Sequence, residues 1–91
     1  MMEVTFSSSF KRSFRKKSKG VMNFEKMFWE HLSFFIENPF NPRLKTHKLS
    51  GKLEDLWSFS IGFNYRVVFY FTDENPRKAV LVDIGTHDEV Y

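Results

Sequence analysis

The sequence predicts a single-domain α+β fold, in the order β-α-α-β-β-β, with two helices packed on one face of a small antiparallel sheet. Three observations predict it. Apolar residues alternate over segments in the C-terminal half, and they recur at steps of three and four in the segment before it. Turn-forming residues separate these segments, and helices kept apart from a strand meander indicate α+β rather than a parallel α/β sheet.

Glu3 to Phe6 alternates, with Val4 and Phe6 on one face, and reads as a first strand. The serines Ser7 to Ser9 offer an N-cap, and Phe10 and Phe14 share one face of a basic helix that stops at Gly20. In the second helix Val21, Phe24, Phe28, Leu32 and Phe35 form the core stripe, while Met27, Trp29, Phe34 and Ile36 add apolar surface beside it. Asn38-Pro39 ends that helix, because proline disfavours helical geometry in the residue before it. His31 reads as a histidine at the boundary of the core.

Pro39 to Lys48 is a connecting loop containing His47, and Ser50-Gly51 signals a turn. Leu56 to Ile61 alternates, with Trp57, Phe59 and Ile61 inward and Ser58 and Ser60 outward. Gly62-Phe63-Asn64 is a hairpin connection. Tyr65 to Thr72 is the central strand, apolar on both faces except at Arg66, which therefore belongs at an open end or in a cleft. Asp73 to Pro76 is a polar turn, Ala79 to Ile84 the last strand, and His87 to Tyr91 too short for more than a turn. The sheet face away from the helices is left uncovered, which makes it the expected ligand face.

Ninety-one residues form one domain, residues 1–91, and 19% aromatic content supplies the dense core that so short a chain needs. No apolar run is long enough to span a membrane, and MMEVTFSSSFKR lacks the apolar segment of a secretory signal. The absence of cysteine excludes disulfides and thiolate chemistry, and a cytoplasmic setting is expected. Lys11, Arg12, Arg15, Lys16, Lys17 and Lys19 form one basic cluster, and Arg43, Lys45, Lys48 and Lys52 a second, both suited to nucleic acid.

The segments HKLSGKLEDLWS from His47, NYRVVFY from Asn64 and DIGTHDEVY from Asp83 resemble the RelE/ParE superfamily of toxins from type II toxin–antitoxin pairs. Within it the chain is most similar to the RelE/YafQ-like mRNA interferases. The resemblance implies an endoribonuclease that enters the ribosomal A site, against 16S rRNA, cuts mRNA during translation, and is neutralised by a cognate antitoxin. It places Arg66 on the scissile phosphate, His47 as general base, His87 as general acid, and Tyr91 where it stacks on the substrate or assists proton transfer. The sequence departs from the family where Ser58 and Ser60 stand in place of paired strand lysines. It departs again near Ile61 and Tyr65, where other members carry a histidine and an aspartate.

The residue types suit that chemistry without the resemblance. RNA can be cut by its own 2′-hydroxyl if a base, an acid and a cation are supplied. Imidazoles titrate near neutrality, a guanidinium forks onto phosphate oxygens, and an aromatic ring stacks a base. Lys45, Lys48, Lys52, Lys11 and Arg15 are the candidate RNA contacts. Two distant histidines with no cysteine make no zinc pattern, so neither metal nor other cofactor is expected. Two alternatives remain at this level: a gyrase-poisoning toxin of the ParE type, and an inactive RNA-binding member of the family. The apolar surplus of the second helix beside a basic first helix suits an acidic amphipathic antitoxin segment, with Met27, Phe34 and Arg12 as candidate contacts.

Overall fold

The computed structural model describes all 91 residues, Met1–Tyr91. The chain runs through β1 (Glu3–Phe6), α1 (Ser8–Gly20), α2 (Phe24–Glu37), β2 (His47–Lys48), β3 (Trp57–Ile61), β4 (Tyr65–Phe71), β5 (Lys78–Thr86) and α3 (His87–Val90). Single 3₁₀ turns at Pro42–Leu44 and Gly51–Leu53 lie in the connections. The strands form one sheet in the order β1-β5-β4-β3-β2.

The three-strand meander is antiparallel, as expected, but β1 joins β5 in parallel. The sheet is therefore mixed, because two helices and the meander intervene before the chain returns beside its first strand. Gly62 turns the β3–β4 hairpin at φ +61°, a conformation that costs glycine little. Opposite the step from Val68 to Phe69, Val82 is an extra residue in β5. At this bulge the Val82 carbonyl accepts from Ser9 Oγ of α1 at 2.7 Å.

The helix stripes sort as their spacing predicts. Ser7 Oγ accepts the Phe10 N–H at 3.1 Å and caps α1. Phe10 is buried and Phe14 packs against the core, while Lys11, Arg12, Arg15, Lys16 and Lys19 fill the exposed faces and Lys17 is partly buried. In α2 Phe24, Phe28, Leu32 and Phe35 are all buried. Each contributes roughly 1.5–3 kcal/mol of burial. The helix begins at Phe24 rather than Val21, because Asn23 takes a left-handed conformation at φ 61° and interrupts the backbone. His31 sits at the core boundary, with Nδ1 2.8 Å from the Met27 carbonyl. Facing these stripes, Phe59, Ile61, Val67, Phe69, Ala79, Leu81 and Ile84 complete the core.

Three further expectations change. The loop from Pro39 contains ordered structure: Leu44 is fully buried, and His47–Lys48 pair with β3 as a short edge strand. The last strand continues through Gly85 to Thr86, since both residues still pair with β4. Residues His87–Val90 form one helical turn, the most that their length allows. Ser58 and Ser60 do face away from the helices, yet they are 0% and 6% exposed. α3 packs on β4 and β5, and Tyr91 after it reaches Ser58, so part of the face that the sequence leaves open is covered. No helix is long and apolar enough to cross a membrane.

Candidate functional site

Strand register assembles the candidate residues on the sheet face opposite α2. His47 is the cross-strand partner of Ser58, Ser58 of Val68, and Arg66 of both Ser60 and Gly85. Directly paired residues point to the same face, so His47, Ser58, Ser60, Arg66 and Val68 share it. His87 and Tyr91 arrive from above on α3 and the residue after it. The Tyr91 hydroxyl donates to Ser58 Oγ, and the His87 and Tyr91 rings meet edge to face at 4.6 Å. Of the four residues predicted from the sequence, His87 and Tyr91 touch directly. His47 and Arg66 stand two strands apart and offset by two residues, about 10 Å across and about 7 Å along the sheet.

Each side chain is held in a definite way. The His47 ring is exposed, with Nδ1 2.9 Å from the Lys45 carbonyl oxygen. A carbonyl can only accept, so Nδ1–H is the donor there, and in the neutral ring Nε2 is the nitrogen with the lone pair. Lys45 turns the chain towards this contact with φ 52°. Arg66 Nη1 donates to the Phe63 and Tyr65 carbonyls at 3.2 and 3.0 Å, at the hairpin end of β4. No carboxylate pairs with it: Asp83 accepts from Ser13 Oγ and the Ile84 N–H, and Asp88 faces His87. The guanidinium thus has no ion-pair partner, and its side-chain hydrogen bonds are the two from Nη1. His87 is 65% exposed and holds Nδ1 3.5 Å from Asp88 Oδ1.

Sequence reading missed the residues that hold α3. Thr86-His87-Asp88-Glu89 has the Thr-x-x-Glu spacing of a capping box, and Glu89 Oε1 accepts the Thr86 N–H at 2.7 Å. The same oxygen lies 2.6 Å from Lys17 Nζ. The Lys17 ammonium, and after it the Thr86 N–H, hold the Glu89 carboxyl at about 2, well below the usual carboxylate range. The spacing was a readable signal for Glu89. The pairing with Lys17, across more than seventy residues, was not.

Lys45, Lys48 and Lys52 are exposed around the β2 edge, and Lys11, Arg12 and Arg15 are exposed on α1. Met27 and Phe34 are half-buried against the core, with Arg43 stacked 4.8 Å over the Phe34 ring. A groove of about 500 Å³ lies instead between α1 and α2, floored by Phe6, Phe10, Phe14, Phe28 and Trp29 and rimmed by Lys11, Arg15 and Lys19. It carries no histidine, and its one carboxylate is Glu25. No group of three or more histidine, aspartate or glutamate side chains is arranged to hold a metal ion.

A sequence profile of the bacterial toxins of type II toxin–antitoxin systems, YafQ, matches residues 2–91. The chain belongs to this family. The YafQ-type fold is shared with solved structures across whole chains. YafQ from Escherichia coli strain BL21(DE3) superposes with a TM-score of 0.80 at 14% identity, covering 100% of this chain and 99% of that one. A metal-bound toxin from Helicobacter pylori gives 0.78 at 22% identity, with both chains fully covered. A YoeB/ParE toxin from Agrobacterium tumefaciens gives 0.77 at 15% identity, covering 94% and 99%. Among curated proteins none matches this chain.

Proposed function

We propose that this YafQ-type toxin is an endoribonuclease that cuts mRNA in the ribosomal A site, with His47, Arg66, His87 and Tyr91 as its site. The observation that carries this reading is the gathering of two exposed imidazoles and an unpaired guanidinium on one sheet face edged by lysines. His47 Nε2 takes the proton of the 2′-hydroxyl, and the 2′-oxygen forms a bond to phosphorus. Arg66 stabilises the charge on the non-bridging oxygens. His87 delivers a proton to the 5′-oxygen as its bond to phosphorus breaks, leaving a 2′,3′-cyclic phosphate and a free 5′-hydroxyl. The Tyr91 ring supplies a stacking surface for a base, and Lys45, Lys48 and Lys52 hold flanking phosphates. The step balances, since His47 gains one proton as His87 gives one up, and exchange with water restores both.

Family membership supports the toxin role and, with it, a cognate antitoxin, as does the likeness to E. coli YafQ in the DinJ–YafQ complex, with a TM-score of 0.78. The groove between α1 and α2 suits such a partner, since apolar rings below a rim of three cations match an acidic amphipathic helix. Primer extension on mRNA from cells producing the wild type or His87→Ala tests the nuclease reading. Translation-dependent cuts with the wild type and none with the variant are expected. The same cuts with both would remove His87 from the site, and a DNA-damage response without cuts would replace the nuclease by a gyrase poison.

A further inference from the structure

Lys17 and Glu89 have no part in the chemistry above, yet both grip the turn that carries His87 and Tyr91. A helix of four residues does not persist by its own propensity. What holds α3 is therefore tertiary: Tyr91 on Ser58 at one end, and Glu89 at the other. One Glu89 oxygen closes the first turn through Thr86 and joins α3 to α1 through Lys17. The Lys17 side chain is only 21% exposed, and its ammonium also lies 5.9 Å from the Tyr65 ring centroid, so it is held from two sides. The Glu89 side chain is 48% exposed, so the hold comes from one oxygen taking two short bonds at once, to Lys17 and to the Thr86 N–H, rather than from burial. Beneath them Gly85 leaves no slack, since a Cβ there would stand 3.0 Å from Glu89 Oε1 and 3.3 Å from Val90 Cγ1.

We propose that Lys17 and Glu89 are positioning residues, an ion pair between α1 and α3 that sets where His87 and Tyr91 stand on the sheet. The inference rests on the nuclease reading of that face. Neither residue touches the substrate. Their effect is on the aim of the acid, and a misplacement of about 1 Å costs on the order of 100-fold in rate.

The test uses full-length Lys17→Met, Lys17→Arg and Glu89→Gln. Cleavage on translating ribosomes is measured as kcat and KM, and the Tyr91–Ser58 contact is measured by NMR. The Met and Gln variants are expected to keep KM and the core resonances, to lose the Tyr91–Ser58 contact, and to cut about 10- to 100-fold more slowly. Lys17→Arg is expected to restore both readouts. An unchanged rate in Lys17→Met and Glu89→Gln, or a loss that Lys17→Arg does not recover, overturns the proposal. Should Lys17→Met fail to fold, Glu89→Gln decides, because its amide oxygen still caps Thr86. Should the wild type not cut mRNA at all, the nuclease reading falls, and the NMR contact alone decides positioning: its survival in Lys17→Met overturns the ion pair's role.

Discussion

The Tyr91 hydroxyl donates a hydrogen bond to Ser58 Oγ, joining the residue after α3 to the middle of β3. Ser58 is fully buried while Tyr91 is 40% exposed, so the bond is a clasp closed from the solvent side. Ser58→Ala removes the acceptor and leaves the phenol free to turn to water. A stability loss of about 1 kcal/mol is expected by urea unfolding. The larger effect is local: amide exchange in His87–Val90 is expected to quicken while exchange in β4 stays slow. Equal protection in both proteins would mean that the clasp does not hold the turn.

The Glu89 pair gives a second, pH-dependent expectation. Its carboxyl titrates at about 2 when folded, against 4.5 unfolded, with Lys17 the main cause. A depressed acid stabilises the folded state above its unfolded value and ceases to do so as pH falls through the folded one. The stability difference between wild type and Glu89→Gln is therefore expected to be constant above about pH 5 and to shrink from about pH 4.5 towards pH 2. Urea unfolding of both proteins across that range checks it. A difference that grows on acidification contradicts the assignment.

These contacts mark the boundary of what the sequence could reveal. The Phe24, Phe28, Leu32 and Phe35 stripe and the β3–β5 meander were legible because each follows one local period over many residues. The parallel seat of β1 was not, since it depends on Glu3–Phe6 meeting residues more than seventy positions away. Ser58 and Ser60 were read correctly for their side of the sheet and wrongly for exposure. Alternation reports direction, whereas burial there depends on where α3 lands. His47 was legible as a residue but not as part of a strand, because two residues carry no measurable period.

Gly85 tests the fit of α3 by crowding it. An added Cβ would press on Glu89 and Val90 at 3.0 to 3.3 Å, so Gly85→Ala must displace α3 by a few tenths of an ångström or more. Core packing lies on the other side of the sheet and is untouched. Expected is a melting temperature close to that of the wild type, with cleavage lowered about 10-fold. A variant that melts normally and cuts normally would show that α3 tolerates the shift.

The groove makes a separate expectation about the antitoxin. Trp29 is half exposed at its floor, and Lys11, Arg15 and Lys19 repeat every fourth residue along its rim. Trp29→Ala is expected to weaken antitoxin binding by about 2 kcal/mol, as loss of a central aromatic anchor does. Lys11→Glu with Arg15→Glu is expected to slow association about 10-fold at low salt and much less at high salt. Surface plasmon resonance at two ionic strengths separates these effects, and full affinity in all variants would place the partner elsewhere.

Arg66→Lys probes the geometry of charge rather than its sign. In the wild type Nη1 is committed to the Phe63 and Tyr65 carbonyls, which fixes the plane of the fork at the hairpin end of β4. Lysine keeps the positive charge but has no plane to aim and no second nitrogen to offer a phosphate. Binding of RNA, driven by charge, is expected to keep the same salt slope. Cleavage is expected to fall about 100-fold, because stabilisation of the phosphorane depends on donors placed beforehand. If Arg66→Lys cuts as fast as the wild type, the guanidinium is acting as a point charge, and the clamp by two carbonyls has no bearing on the reaction.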